Sequence, residues 1–452
     1  MHIYRPLHFF VLLIFSGLIG CKSSIPQKDS HTDDEQKTLQ TDTPTNVKIY
    51  EAGKNDRLGP CEPSIFMNPK NPNQLVAGSV IDFTHRSDDG GKTWITEHLK
   101  SSLGIWGDPV ITADKDGNFY YFHLSDPEGT NWASKKILDR IVVQKSTDLG
   151  ATWSNGTGIG HNPPKQQDKQ WATTNPITGE LYVTWTEFDK YGSSNPKDES
   201  RILFSNSTDA GKTWSQPTAI NEFNGDCIDD DATVEGAVPA SDGKNLYVSW
   251  AFENIIWFDY SLDNGKTWQE KDIVIATQKS GWDFTVPGIK RVNGMPVTAV
   301  DISNSEHQGT IYVNWSDQIT PDDTDIFIAK SIDQGKTWST PKRVNTDTTK
   351  THQFLTWMSV DPATGYIYIV YYDRSTFAND SRNTNVTLAV SKDGGMTFST
   401  QIISEKPFDP SGASFFGDYN CIHALHGHIR PIWTRYEDNN LSIWTALIDD
   451  LE

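Results

Sequence analysis

The sequence predicts an all-β fold: a single β-propeller of four-stranded blades, seven in number with six as the alternative, closed by an N-terminal strand. Three observations lead there. An eight-residue phrase recurs six times, strand patterns fill every interval between its copies, and the composition suits many short strands and turns. Of 452 residues, 36% are hydrophobic and 51 are aromatic (16 Trp, 15 Tyr, 20 Phe), ample for a core, while 33 Gly and 23 Pro supply the turns. The phrase reads SDDGGKTW, STDLGATW, STDAGKTW, SLDNGKTW, SIDQGKTW and SKDGGMTF, starting at Ser87, Ser146, Ser207, Ser261, Ser331 and Ser391. The intervals are 59, 61, 54, 70 and 60 residues. A period of that size is the mark of a propeller or solenoid.

Each interval carries the same order of elements. A short apolar strand comes first, in seven copies: EPSIFMN, DPVITAD, QWATTNP, EGAVPAS, VPGIKRV, TWMSVDP and DYNCIHA. A turn such as KDG or ATG leads to an aromatic strand, for example ELYVTWTEF or YIYIVYYD. A third strand such as ILFSNS runs into the phrase and a fourth leaves it. The seventh unit ends one strand short, and NVKIY near the N-terminus is available to complete it, which removes the edges an open array would expose. Within the phrase, Asp89, Asp148, Asp209, Asp263, Asp333 and Asp393 sit where a tight turn needs a side-chain acceptor for backbone N–H groups. The following Gly suits positive φ, and the closing Trp or Phe covers the sheet. Nothing in this pattern requires a substrate. It is a structural fastener.

Ahead of the repeats, residues 1–20 read as a signal segment: Arg5, an apolar run too short for a confident transmembrane helix, then small residues and Cys21. LIGC resembles the lipobox of bacterial lipoproteins, which makes Cys21 the lipidation site. Residues 21–45 are polar and read as a flexible tether, leaving 46–452 for the propeller. The expected location is the bacterial cell envelope, at the outer membrane, with membrane contact only through the lipid. A net charge of −20 argues against general nucleic-acid binding. Cys61, Cys227 and Cys421 leave room for one disulfide whose pairing the spacing does not choose. Oligomeric state is left open.

The phrase S-x-D-x-G-x-T-W matches the Asp box, or BNR repeat, and from about Glu62 to Trp444 the chain resembles the bacterial sialidase-like propellers. The resemblance implies an active site on the face opposite the Asp boxes, around the central channel, where each first strand begins. There stand Glu62, Asp108, Asp168 with Trp171, Glu235, Asp283, His352 with Trp357, and Asp418 with Tyr419. By resemblance Glu235 takes the place of the activating Glu, Tyr419 that of the nucleophilic Tyr, and Arg382 that of one carboxylate-binding Arg. The chain departs from the pattern elsewhere. Glu62 stands where the first Arg belongs, and the loop bearing the second Arg and the acid/base Asp is missing or very short.

The expected catalytic residues are therefore Tyr419, Glu235, Asp418 and Asp108. The expected substrate-binding residues are Arg382, Glu62, His352, Trp171 and Trp357. Glu62 repels a sialic acid carboxylate where an Arg fork holds it, so true sialidase chemistry is disfavoured. The leading expectation is a sialidase-like propeller that acts on or binds extracellular glycans, with carboxylate pairs available for hydrolysis. The alternatives are a non-catalytic carbohydrate- or protein-binding scaffold, and a propeller lyase using Tyr419, His352 and Arg382 on a uronate. No cofactor is required. The run Asp229, Asp230, Asp231 is dense in oxygen ligands and reads as a candidate calcium loop, against the plainer reading of a solvated acidic loop.

Overall fold

The computed structural model describes residues 43–53, 56 and 58–450. The expected signal segment, tether and lipidation site Cys21 lie outside the described residues. Seven four-stranded antiparallel sheets stand as blades around a central channel. The inner strands, one per blade, are Ser64–Asn68, Val110–Ala113, Gln166–Thr174, Glu235–Ser241, Val297–Val300, Gln353–Val360 and Cys421–Leu425. Each touches the inner strands on either side, and the first also meets the seventh, so the ring is closed.

The seventh blade takes its outer strand from the other end of the chain. Thr45–Glu51 pairs antiparallel with Asn440–Asp449, with Val47 opposite Thr445. The strand Asn440–Asp449 is thereby covered, and Thr45–Glu51 becomes the outer strand of a complete four-stranded blade.

One inner strand differs from expectation. VPGIKRV does not line the channel: it belongs to a separate hairpin, Asp283–Val286 paired with Ile289–Asn293, inserted between blades 4 and 5. Pro287 and Gly288, the latter at φ 87°, make its tight turn. The true inner strand of blade 5 is the next apolar run, Val297–Val300.

The repeated phrase forms the same turn each time, after the third strand of blades 1 to 6. In blade 5, Asp333 Oδ1 accepts from the Thr337 N–H (2.9 Å) and the Ser331 hydroxyl (2.8 Å). Its Oδ2 accepts from the Thr337 hydroxyl at 2.6 Å, and the Gly335 N–H donates to Ser331 Oγ at 2.9 Å. Asp89, Asp148, Asp209, Asp263 and Asp393 accept the corresponding pair from Thr. These bonds prefer the charged carboxylate, and Asp209, Asp333 and Asp393 are held down to about 2.

The turn also reaches the neighbouring blade. Trp338 packs edge-on against Phe258 of blade 4 (4.9 Å), and Trp268 against Phe204 of blade 3 (5.0 Å). The turn Gly lies on the same ring: a Cβ on Gly335 would stand 2.1 Å from Phe258 Cε1, and one on Gly265 2.4 Å from Phe204. Because strands alternate in direction, this turn lies at the end where the inner strand finishes, opposite the face where it begins.

Gly335→Ala therefore meets both a left-handed φ and a clash, whereas Gly129→Ala, at φ 64° with nothing within 4 Å, meets only the first. In denaturant unfolding Gly129→Ala is expected to cost about 1 kcal/mol and Gly335→Ala about 1–3 kcal/mol more. Equal losses would refute the role of the turn as an inter-blade fastener.

Candidate functional site

At the start of the inner strands the backbone kinks in the same way in five blades. Glu62, Asp108, Lys169, Gly236 and Leu355 all adopt left-handed φ, between 48° and 71°. In blades 3, 4 and 6 the kink coincides with a register shift, so that Asp168/Trp171, Glu235/Val238 and Phe354/Trp357 each bracket a bulge. A bulge turns a side chain that would continue the strand alternation toward a new direction. Where the kinked residue is Leu or Gly the kink is only a feature of the fold. Where it is Glu62, Asp108 or Lys169, an ionisable group enters the channel mouth.

These three line a cavity of about 270 Å³ together with Asp168, Asp418 and Arg291. Its walls carry Trp106, Trp132 and Tyr191. Trp132, well exposed at the rim, stacks on Tyr191 (5.6 Å, 24°) and meets Trp106 edge-on (5.7 Å).

Asp418 is the electrostatic centre. It is buried, and its Oδ2 lies 2.5 Å from Lys169 Nζ and 2.8 Å from an Arg291 guanidinium nitrogen. Its backbone N–H donates to Glu62 Oε1 (3.0 Å), and its carbonyl accepts from Asn293 Nδ2 (2.8 Å). Gly417, at φ 100°, lets the chain pass this close, since a Cβ there would stand 2.9 Å from Glu62 Cγ. Arg291 also reaches Asp229 Oδ2 (3.2 Å), which accepts from the Tyr191 hydroxyl at 2.6 Å.

The carboxyls divide by protonation. Burial pushes Asp418 up, but Lys169 and Arg291 outweigh it and hold the group below its ordinary value. Glu62 goes well above the usual range, from burial and then the charges of Asp108 and Asp418. Glu235 does likewise, from burial and then Asp229 beside it. Asp108 is raised by burial, with Lys169 opposing. Asp168 is pushed up to about 7 by burial and then by Asp108. The cavity thus holds an ionised carboxylate beside acids that keep their protons near neutrality.

The expected residues separate into groups. Glu62, Asp108 and Asp418 meet in the cavity. Glu235 is fully buried and does not line the cavity; its carboxyl lies beside Asp229. Tyr419 is not presented to the cavity: its hydroxyl donates to the Pro109 carbonyl (3.3 Å). Its ring packs with Trp171 (5.0 Å) and Trp357 (6.4 Å), which are 4.2 Å apart. These three rings pack into a plug, and the two Trp line not this cavity but a second one. Beyond the plug a second cavity of about 440 Å³ is lined by the largely apolar continuation of the inner strands.

His352 is buried away from the cavity, sharing a hydrogen bond with Thr324 Oγ1 (2.9 Å), and burial lowers it to about 4. Arg382 is exposed outside the cavity, beside Gly288 of the hairpin. Asp229, Asp230 and Asp231 diverge: the first pairs with Arg291, the second accepts from the Ala232 N–H (3.0 Å), the third from the Asp283 N–H (2.9 Å). Among the described residues no group of three or more His, Cys, Asp or Glu is arranged to hold a metal ion. Among the described residues Cys61, Cys227 and Cys421 are buried and unpaired.

Sequence reasoning missed Lys169, Arg291, Tyr191 and Trp132. Lys169 had a signal, a cation directly beside Asp168 at the head of the inner strand QQDKQWATT. Arg291 was hidden by the misplacement of VPGIKRV.

No protein-family model matches the chain. Among solved structures it is similar to the Hadza microbial sialidase Hz136, at 15% identity over 83% of this chain and 73% of that one, with a TM-score of 0.46. A protein of unknown function from Dyadobacter fermentans aligns at 13% identity over 89% and 97%, with a TM-score of 0.49. The NanB sialidase of Streptococcus pneumoniae aligns at 11% over 76% and 68%, also at 0.49.

Two outcomes test the electrostatics. Lys169→Met leaves Asp418 and Asp108 with Arg291 as their remaining cation, and is expected to cost about 3–5 kcal/mol at neutral pH in chemical denaturation. For Asp168 the folded chain holds the proton to about 7 whereas the exposed group releases it near 3.8. The folded state binds the extra proton between these values, so this contribution to stability is full below about 4 and is lost as pH rises through about 7. Asp168→Asn, neutral throughout, should gain on the wild type as pH rises across that window; a constant difference between the two would contradict the assignment.

Proposed function

We propose that the chain is an Asp-box, sialidase-like propeller that takes a single sugar residue of an extracellular glycan in the cavity at its channel mouth and hydrolyses the glycosidic bond there. The observation that carries the reading is the cavity itself: about 270 Å³, aromatic on one side and lined by four carboxyls, Glu62, Asp108, Asp168 and Asp418. That is the size of a site for one ring rather than a polymer segment, with an apolar wall and a few convergent polar groups. Asp168, holding its proton to about 7, suits a general acid at neutral pH, and Asp108 beside it is the partner carboxyl. Export and surface anchoring through Cys21 at the outer membrane belong to the same reading and rest on the N-terminal sequence.

A sialoside is not the substrate in this reading. Lys169 and Arg291 are the cations of the cavity and both are engaged by Asp418, so neither is free to clamp a sugar carboxylate. A uronate-cleaving lyase is disfavoured for the same reason, with His352 and Arg382 both away from the cavity. Binding without turnover is the second reading, favoured by the depth at which Glu62, Glu235 and Asp418 are buried.

The test is a screen of the purified protein against neutral, amino-sugar, uronate and sialic acid glycans. Turnover of a non-anionic glycan is expected, falling at least about 10²-fold in Asp168→Asn and Asp108→Asn. Binding with no turnover moves the protein to the second reading. Hydrolysis of a sialoside, or no binding to any glycan, overturns the proposal.

A further inference from the structure

Resting on that glycan reading, we infer that the sugar unit taken by the cavity carries a free ammonium group, as a de-N-acetylated amino sugar does. Four carboxyls line the cavity against two cations, and the cations are already spent. Asp418 Oδ2 occupies both Lys169 and Arg291, while Asp229 takes the other arm of Arg291. Lys169 stands 4.0 Å from Asp108, beyond hydrogen-bond reach.

Acceptors are therefore left over. Asp418 is 2% exposed and its Oδ1 has no hydrogen-bond partner. A buried carboxylate oxygen without a donor is costly unless a ligand supplies one. Among the described residues no hydrogen bond reaches the Asp108 carboxylate, and Asp168 accepts one, from the Lys169 N–H at 2.8 Å. An ammonium group brings three donors to these acceptors, and its positive charge favours the ionised form of Asp108, which burial otherwise disfavours. An N-acetyl group in its place offers one donor and an oxygen that faces further acceptors. The aromatic wall favours the same ligand. Trp132, 60% exposed, gives a sugar ring a face to stack on and attracts a cation lying over it.

The test uses the full chain and two trisaccharides identical except that one bears a single free amine where the other bears an N-acetyl group. In calorimetric titration at low salt the amine form is expected to bind at least about ten-fold more tightly. That preference should disappear in Asp108→Asn and shrink when the salt is raised to about 0.5 M. Trp132→Ala should weaken both forms together. Equal or tighter binding of the acetylated form overturns this inference and leaves the glycan reading standing. No binding of either form, or of any glycan in the wider screen, removes both. An amine preference that survives unchanged in Asp108→Asn would belong to the −20 charge of the whole chain and would also overturn the inference.

Discussion

The structure depends on how one blade is held to the next. Antiparallel sheets satisfy their own backbone hydrogen bonds, so nothing in a blade's ladder specifies its neighbour. The repeated turn supplies that specification. Its Asp and Ser tie seven residues into one rigid loop, which in blades 4 and 5 brings the Gly backbone against an aromatic ring of the preceding blade. Gly335 against Phe258 and Gly265 against Phe204 are contacts that leave no space for a side chain. In the first blade the same Gly, Gly91, packs on Leu447 and Arg430 of the seventh, so the fastening crosses the seam of the ring. The seventh blade has no such turn, and it is completed instead by the N-terminal strand.

A ring fixed at one face by an invariant device leaves the opposite face free to vary. The kink at the head of the inner strands is likewise repeated, and only the side chain it carries differs between blades. Leu355 and Gly236 show that the kink exists without any charge. Glu62, Asp108 and Lys169 exploit it to bring ionisable groups together from three blades, and Asp418 supplies the fourth. Burying this many carboxyls is tolerable because they do not all ionise. Lys169 and Arg291 secure Asp418 as the charged member, and the protons retained by Glu62 and Glu235 relieve the repulsion that six nearby carboxylates would otherwise create.

The fold was legible in the sequence because its determinants are local and repeated. The phrase, the aromatic second strand and the spare strand NVKIY each announce themselves within a few residues. The one misplaced strand, VPGIKRV, failed because an apolar run with a Pro-Gly turn fits a hairpin and an inner strand equally well, and only the next run, Val297–Val300, decides between them. The site was half legible. Carboxyls at strand heads were visible as exceptions to an apolar pattern, which brought Glu62, Asp108 and Asp418 into view. Resemblance then misled where blades are not equivalent. Tyr419 occupies the head of an inner strand, yet its ring serves the plug with Trp171 and Trp357. His352 and Arg382 depend on loop paths that no repeat dictates.

The hairpin that escaped the repeat grammar is what completes the site. Inserted between blades 4 and 5, it carries Arg291 across the channel mouth to Asp418 of blade 7 and to Asp229. Asn293 on the same strand holds the Asp418 carbonyl, and the Arg374 guanidinium of blade 6 donates to Pro287 at the hairpin turn (2.8 Å). A seven-bladed ring offers a symmetric mouth in which no direction is preferred. By spanning it, the hairpin breaks that symmetry and fixes which carboxylate stays charged. It leaves Asp108, Asp168 and the Trp132 wall as the open side. The polarity of the site then follows from a single asymmetry: the cations are drawn to the hairpin side, so what remains for a ligand is acceptor-rich and aromatic.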